Sequence, residues 1–288
     1  MKDYIILTDS ACDIKPEILE KWGVGFESLT LRFEGDEKEY SNFEITAKDF
    51  YDRMRKGGTA KTAAVNVERF VQLFEKYLKE GKDVLYVGFS SELSTTYNSA
   101  RLAGIQLAEK YLENKIITVD SLSASAGFGL LLYLTVKKKN EGATIEEAAK
   151  FVEDTRLHLC HWFTVDDLVY LKRGGRISPT VAFVGNMLGI KPVLHMDNEG
   201  HLVNVSKVRG RRTSVEALAQ KFDELALDKN GGTLFISQGD CMSDAEYLAS
   251  IIKNKHGIDV EIITDVGPVI GAHTGPGVLA FFFVGKER

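Results

Sequence analysis

Val84-Leu85-Tyr86-Val87, then Gly88, then Phe89-Ser90-Ser91-Glu92-Leu93-Ser94-Thr95-Thr96-Tyr97-Asn98-Ser99-Ala100: here an unbroken apolar run passes directly into a hydroxyl-rich segment. Four consecutive apolar residues, aromatic and β-branched among them, suit a strand buried on both faces, as the strands of a parallel sheet are. The hydroxyls fall where such a strand hands over to a long helix. The layout recurs at Ile5-Ile6-Leu7 and at Ile116-Ile117-Thr118-Val119, each followed by a helix-length segment. This alternation predicts an α/β fold in which a Rossmann-like parallel sheet carries helices on both faces.

Outward from that core, Phe70, Leu73, Phe74, Tyr77 and Leu78 recur at helical spacing, with Asn66 placed to cap the start and Gly81 the end. Pro16 opens an earlier helix that Gly23 closes. Val24 to Tyr40 alternates around Glu34-Gly35-Asp36, which predicts a small hairpin inserted near 24–40. From about Leu157 the pattern changes to helix, strand, a turn at Asn198-Glu199-Gly200, a second strand, then helix and strand again. Two domains follow: an N-terminal α/β domain over 1–157 and a C-terminal mixed α+β domain over 158–288, with a ligand cleft between them. No low-complexity linker separates them, so they are expected to pack closely.

Composition excludes several classes. The net charge of −5, with acidic and basic residues mixed along the chain, lacks the basic face of a nucleic-acid binder. The longest apolar stretches, near Phe128 to Val136 and Val278 to Val284, fall well short of the roughly 20 residues of a membrane helix. Integral membrane association is therefore not expected, although transient contact with a membrane surface is compatible. Met1-Lys2-Asp3-Tyr4 leads straight into a strand without a secretion signal, and Cys12, Cys160 and Cys241 are odd in number and scattered. Both point to the reducing cytoplasm, with no disulfide framework and no metal site.

Candidate chemistry gathers at strand ends and loops. Thr8-Asp9-Ser10 and Val119-Asp120-Ser121 end two strands alike; in a parallel sheet such ends face the ligand, yet Asp and Ser also simply cap turns. The run from Ser90 to Ala100 suits an anion, because free N–H groups and the dipole of a helix start favour a carboxylate or phosphate, with Ser91, Ser94 and Thr95 near it. The small-residue loop Gly57 to Ala64 places the Thr62 hydroxyl within possible reach of the same ligand, although by itself it is an ordinary connector. His273 stands alone in the Gly- and Pro-rich segment Gly267 to Gly277, without a second ligand at metal spacing. The segment from Phe163 to Ser178 predicts a strand end, a short helix capped near Asp166, and a glycine turn presenting Arg173 and Arg176; with Arg209 these make a basic patch for phosphate or an acidic partner, or else ordinary surface charge.

Six of these stretches, in order, resemble the DegV family: Thr8-Asp9-Ser10 with Asp13, Ser90 to Ala100, Val119-Asp120-Ser121, Phe163 to Ser178, Lys191-Pro192-Val193, and Gly271 to Gly277. The resemblance spans essentially the whole chain. It implies a two-domain protein that binds a long-chain fatty acid, needs no cofactor, is not an enzyme by itself, and presents the carboxylate to a separate fatty acid kinase subunit. Carried over, the carboxylate is held by the Thr62 and Ser94 hydroxyls and the backbone at Thr95, with His273 adjoining. Asp9, Ser10, Ser91, Asp120 and Ser121 are then site periphery, and Arg173, Arg176 and Arg209 partner-docking residues.

Two positions depart from the family pattern. Ala63-Ala64-Val65-Asn66 stands where Ser-Gln-Pro-Ser is common, removing a hydroxyl and a conformational lock, and Thr95 stands where glycine is usual. A stand-alone hydrolase using a serine with His273, or a phosphotransferase, lacks its signature: there is no Gly-x-Ser-x-Gly elbow, no P-loop, and no Gly-x-Gly-x-x-Gly after the first strand. A lipid-responsive regulatory protein is the other alternative, although no helix-turn-helix is visible.

Overall fold

A computed structural model describes residues 2–177 and 189–288; Ser178, at the end of one of the family-like stretches, lies outside the described residues. β1 (Tyr4–Asp9) leads through a single 3-10 turn into α1 (Pro16–Lys21), which starts on proline and is followed by Gly23 at φ +67°. β2 (Val24–Glu27) then returns parallel to β1, with Val24 opposite Ile6.

Only the later part of the 24–40 segment, around Glu34-Gly35-Asp36, forms the expected hairpin. β2 belongs to the main sheet, whereas β3 (Thr30–Phe33) pairs antiparallel with β4 (Tyr40–Ser41). After α2 (Ala47–Arg55), the expected connector at Gly57 to Ala64 supplies β5 (Ala60–Ala63), which completes a three-stranded sheet on the other edge of β3. The alanines and threonine of β5 carry little strand preference of their own. Their pairing is imposed by the ladder that Leu31 and Phe33 present, which sets Thr62 opposite Leu31.

α3 (Val67–Lys79) is capped by Asn66, whose Oδ1 accepts the Arg69 N–H at 3.0 Å. Next come β6 (Asp83–Gly88), buried throughout, α4 (Thr96–Ala108), β7 (Ile116–Asp120), α5 (Ala126–Asn140) and α6 (Ile145–Thr155). The four strands form a parallel sheet in the order β2-β1-β6-β7. α3 and α4 pack side by side against it, and α6 packs on β6 and β7.

The rest of the chain builds a second sheet. β8 (Leu159–Thr164), α7 (Val169–Arg173), β9 (Ile190–Met196), β10 (Leu202–Arg209), α8 (Arg211–Leu225), β11 (Phe235–Gln238), α9 (Met242–His256), β12 (Ile262–Asp265), α10 (Pro268–Thr274) and β13 (Leu279–Val284) follow in order. Its six strands run β10-β9-β8-β13-β11-β12, and all neighbours are antiparallel except β11 and β12. Period-two alternation splits Phe281-Phe282-Phe283 between two cores. Phe281 and Phe283 pack with Phe222 and Leu248 beneath α8 and α9, whereas Phe282 turns toward the first sheet with Phe163 and Phe235. α5 lies between the sheets, touching β8, β11 and β13 as well as α6. That explains its composition: a helix packed on several sides is apolar around most of its circumference, and nine of its residues are buried. Among the described residues no helix is long and apolar enough to cross a membrane.

Candidate functional site

Between the six-stranded sheet and the hydroxyl-rich loop after β6 lies a cavity of about 250 Å³. Its walls are mostly apolar: Phe89 and Leu93 from that loop, Phe163 from β8, Val269 and Ile270 from α10, Val278 and Ala280 from β13. One corner is polar. Thr62, Ser94, Thr95, Arg176 and His273 all line the cavity, so residues up to 211 positions apart in sequence converge there.

At that corner Thr62 Oγ1 lies 2.8 Å from His273 Nε2. His273 Nδ1 is buried and has no hydrogen-bond partner among the described residues. Burial, reinforced by the nearby Arg176 charge, pushes the His273 pKa down to about 4, so the imidazole is neutral at neutral pH. With its proton on Nε2, His273 donates to Thr62 and leaves the Thr62 hydroxyl free to donate into the cavity. Ser94 Oγ accepts the Thr96 N–H at 3.2 Å and lies 2.9 Å from Thr96 Oγ1, so it shapes the first turn of α4 while facing the same space. Thr95 sits at φ −73° and ψ −1° at the start of α4. Its side chain needs no left-handed backbone, and the departure from glycine is accommodated without strain.

Arg176 is placed differently from expectation. Its Nε donates to the Leu93 carbonyl at 3.2 Å and a terminal nitrogen donates to Gly174 O, which draws the half-buried guanidinium to the cavity wall. Of the three arginines expected at a docking surface, Arg173, on α7, and Arg209, at the end of β10, are exposed. The helix that carries Arg173 starts after Leu168 without a side-chain cap; next to the expected Asp166, the Asp167 carboxylate accepts the Val169 N–H at 2.9 Å in the turn that leads in.

Asp9, Ser10, Ser91, Asp120 and Ser121 do not line the cavity. They build the scaffold behind it. The Asp9 carboxylate accepts from Ala11 N, Tyr86 OH and Phe89 N at 3.1, 2.7 and 3.0 Å, and burial pushes its pKa up to about 6. Ser10 Oγ accepts the Leu29 N–H, both Asp120 oxygens accept the Ser91 N–H, and Ser121 Oγ accepts the Ser123 N–H. Short polar side chains at strand ends satisfy the turn N–H groups that lose their sheet partners there.

Three further cavity residues, Ser125, His161 and Ser237, were not singled out from sequence. Ser237 carried a signal: it is a hydroxyl directly after the apolar run Leu234-Phe235-Ile236.

The DegV family, described as an uncharacterised protein family, matches residues 4–286. The chain belongs to the DegV family. A DegV domain-containing protein of Clostridium perfringens is 42% identical over 100% of this chain and 99% of its own length. Among solved DegV structures, a lipid-binding protein from Thermotoga maritima is 31% identical with a TM-score of 0.86, the match covering 99% of each chain. A stearic acid-binding protein from Eubacterium ventriosum is 27% identical with a TM-score of 0.87, covering 98% of each. These DegV neighbours bind lipids or fatty acids, and the fold that holds them is the fold described above.

Proposed function

We propose that this DegV protein carries one long-chain fatty acid, with the carboxylate at the polar corner and the tail buried in the cleft between 1–157 and 158–288. The observation that carries the reading is the polar corner of Thr62, Ser94, Arg176 and His273 on a mostly apolar cavity. Thr62 and Ser94 supply hydroxyl donors, the backbone at Thr95 the start of α4, Arg176 a charge, and His273 orients Thr62. A buried carboxylate is costly unless hydrogen-bonded, so these groups orient and select the head. The tail provides affinity, at about 0.8 kcal/mol per buried methylene before ordering costs.

Replacing Thr62→Ala together with Ser94→Ala is expected to weaken fatty acid binding on the order of 100-fold and binding of the corresponding alcohol only a few-fold, since hydrogen bonds to a charged group carry more energy. Titration of both ligands against the double variant checks this, and equal losses would sink the carboxylate assignment.

In the same reading the carrier works in the cytoplasm, has no catalytic activity alone, and presents the carboxylate to a separate kinase subunit. The position of Arg173 supports this: it is exposed on the short helix whose last turn leads to Gly174 against His273. Arg209 is a second docking cation. Incubated alone with ATP and fatty acid, the protein is expected to form no acyl phosphate; turnover above background would overturn the non-enzyme reading.

A further inference from the structure

The cavity has a second polar patch, one length of α10 away from the first. At one end of α10 the Gly267 N–H donates to the Asp13 carboxylate; at the other end His273 meets Thr62. Seven helical residues at 1.5 Å each separate the ends by about 10 Å. Asp13 Oδ2 accepts from Ser125 Oγ at 2.6 Å, and Ser125 Oγ lies 3.0 Å from Ser237 Oγ. Both serines are buried and both line the cavity. Ser125 reaches this position at φ +53°, a conformation that residues with side chains rarely adopt.

A chain of two hydroxyls ending on a carboxylate leaves one function over. With Asp13 ionised, Ser125 donates to it, Ser237 donates to Ser125, and Ser237 keeps its lone pairs. With Asp13 protonated the donors reverse and Ser237 keeps its proton. In both states the unanswered group is Ser237 Oγ, on the face of β11 that lines the cavity. Across the sheet Ser237 pairs with Ala280, which pairs with Phe163, and two residues along β8 is His161. Its Nε2 donates to the Ala124 carbonyl at 2.8 Å, so its buried Nδ1 is an acceptor, and it has no partner among the described residues.

We propose that this patch recognises a hydroxyl carried part-way along the acyl chain, making a hydroxylated long-chain fatty acid the preferred ligand. The inference rests on the carrier reading and names its substrate class. A hydroxyl both donates and accepts, and so answers Ser237 in either state. A ketone only accepts, and a plain methylene chain leaves Ser237 unpaired against an apolar neighbour.

The test is competitive loading of delipidated protein with octadecanoic acid and with octadecanoic acids hydroxylated at successive carbons, read by native mass spectrometry. One mid-chain isomer is expected to be retained about tenfold over octadecanoic acid, the effect of one buried hydrogen bond. Ser237→Ala, and the nearly isosteric Ser237→Cys, are expected to bring the two acids to equal retention, with thermal melts verifying that both variants fold. The proposal falls if no isomer is preferred or if the preference survives both substitutions. Binding of octadecanoic acid without such a preference would leave the carrier reading standing, whereas failure to bind either acid would remove both.

Discussion

Gly174→Ala is expected to cost this protein about 10- to 100-fold in fatty acid affinity while leaving it folded, the energy of one hydrogen bond to a charged head group. The backbone at Gly174 sits at φ −72°, ψ −10°, which alanine adopts freely, so the substitution introduces no torsional strain. The obstacle is His273. A methyl group at Gly174 would overlap its Nδ1 and stand 3.1 Å from its Cγ. The ring has to move, and it is the ring whose Nε2 holds Thr62 at 2.8 Å. Displacing it frees Thr62 to rotate away from the head group. Calorimetric titration with fatty acid, alongside a thermal melt, separates the two effects. A variant that melts like the parent and binds as tightly would show that His273 does not position the carboxylate donors.

The second large effect is on stability. Asp13 is buried, and desolvation outweighs the hydrogen bonds from Ser125, Gly267 and Asn42, pushing its pKa up from 3.8 to about 7. A carboxyl whose pKa is higher folded than unfolded binds more protons in the native state between those values. Its contribution is therefore fully present below about pH 4 and is lost as pH rises through 7. At 1.36 kcal/mol per unit, the loss between pH 4.5 and 8 is roughly 3 kcal/mol. Asp13→Asn has no such proton to lose, so the stability difference between parent and variant is expected to shift by that amount in the variant's favour across the interval. Asp9, raised to about 6 in the parent, is present in both proteins and cancels to first order. Denaturant unfolding of ligand-free protein at three pH values measures the shift; parallel profiles would mean that Asp13 is ionised throughout or screened by water.

Much of the architecture was legible because it is local. Ile5-Ile6-Leu7, Val84 to Val87 and Ile116 to Val119 are apolar without alternation, and they became β1, β6 and β7 of a parallel sheet with helices between them. Asn66, Gly23 and Gly81 act on backbone groups within four residues, so their capping roles could be read directly from spacing. The hydroxyl run after β6 marked the start of α4 for the same reason, and Ser94, Thr95, Thr62 and His273, singled out separately, line one cavity.

Sequence alone thus determined which segments are strands buried on both faces, where most helices begin and end, and which polar side chains accompany strand ends. It did not determine what those side chains meet. β2 leaves its neighbour β3 for β1, and β5 becomes a strand only because β3 presents an open edge. Arg176, expected in a basic patch at the surface, turns inward because Leu93 and Gly174 offer it carbonyls. Asp13, Ser125 and Ser237 form one hydrogen-bonded chain across 112-residue separations. Periodicity and capping report free energies set within a few residues, whereas a pairing across a hundred depends on sheet order and close packing, which only the assembled tertiary structure decides.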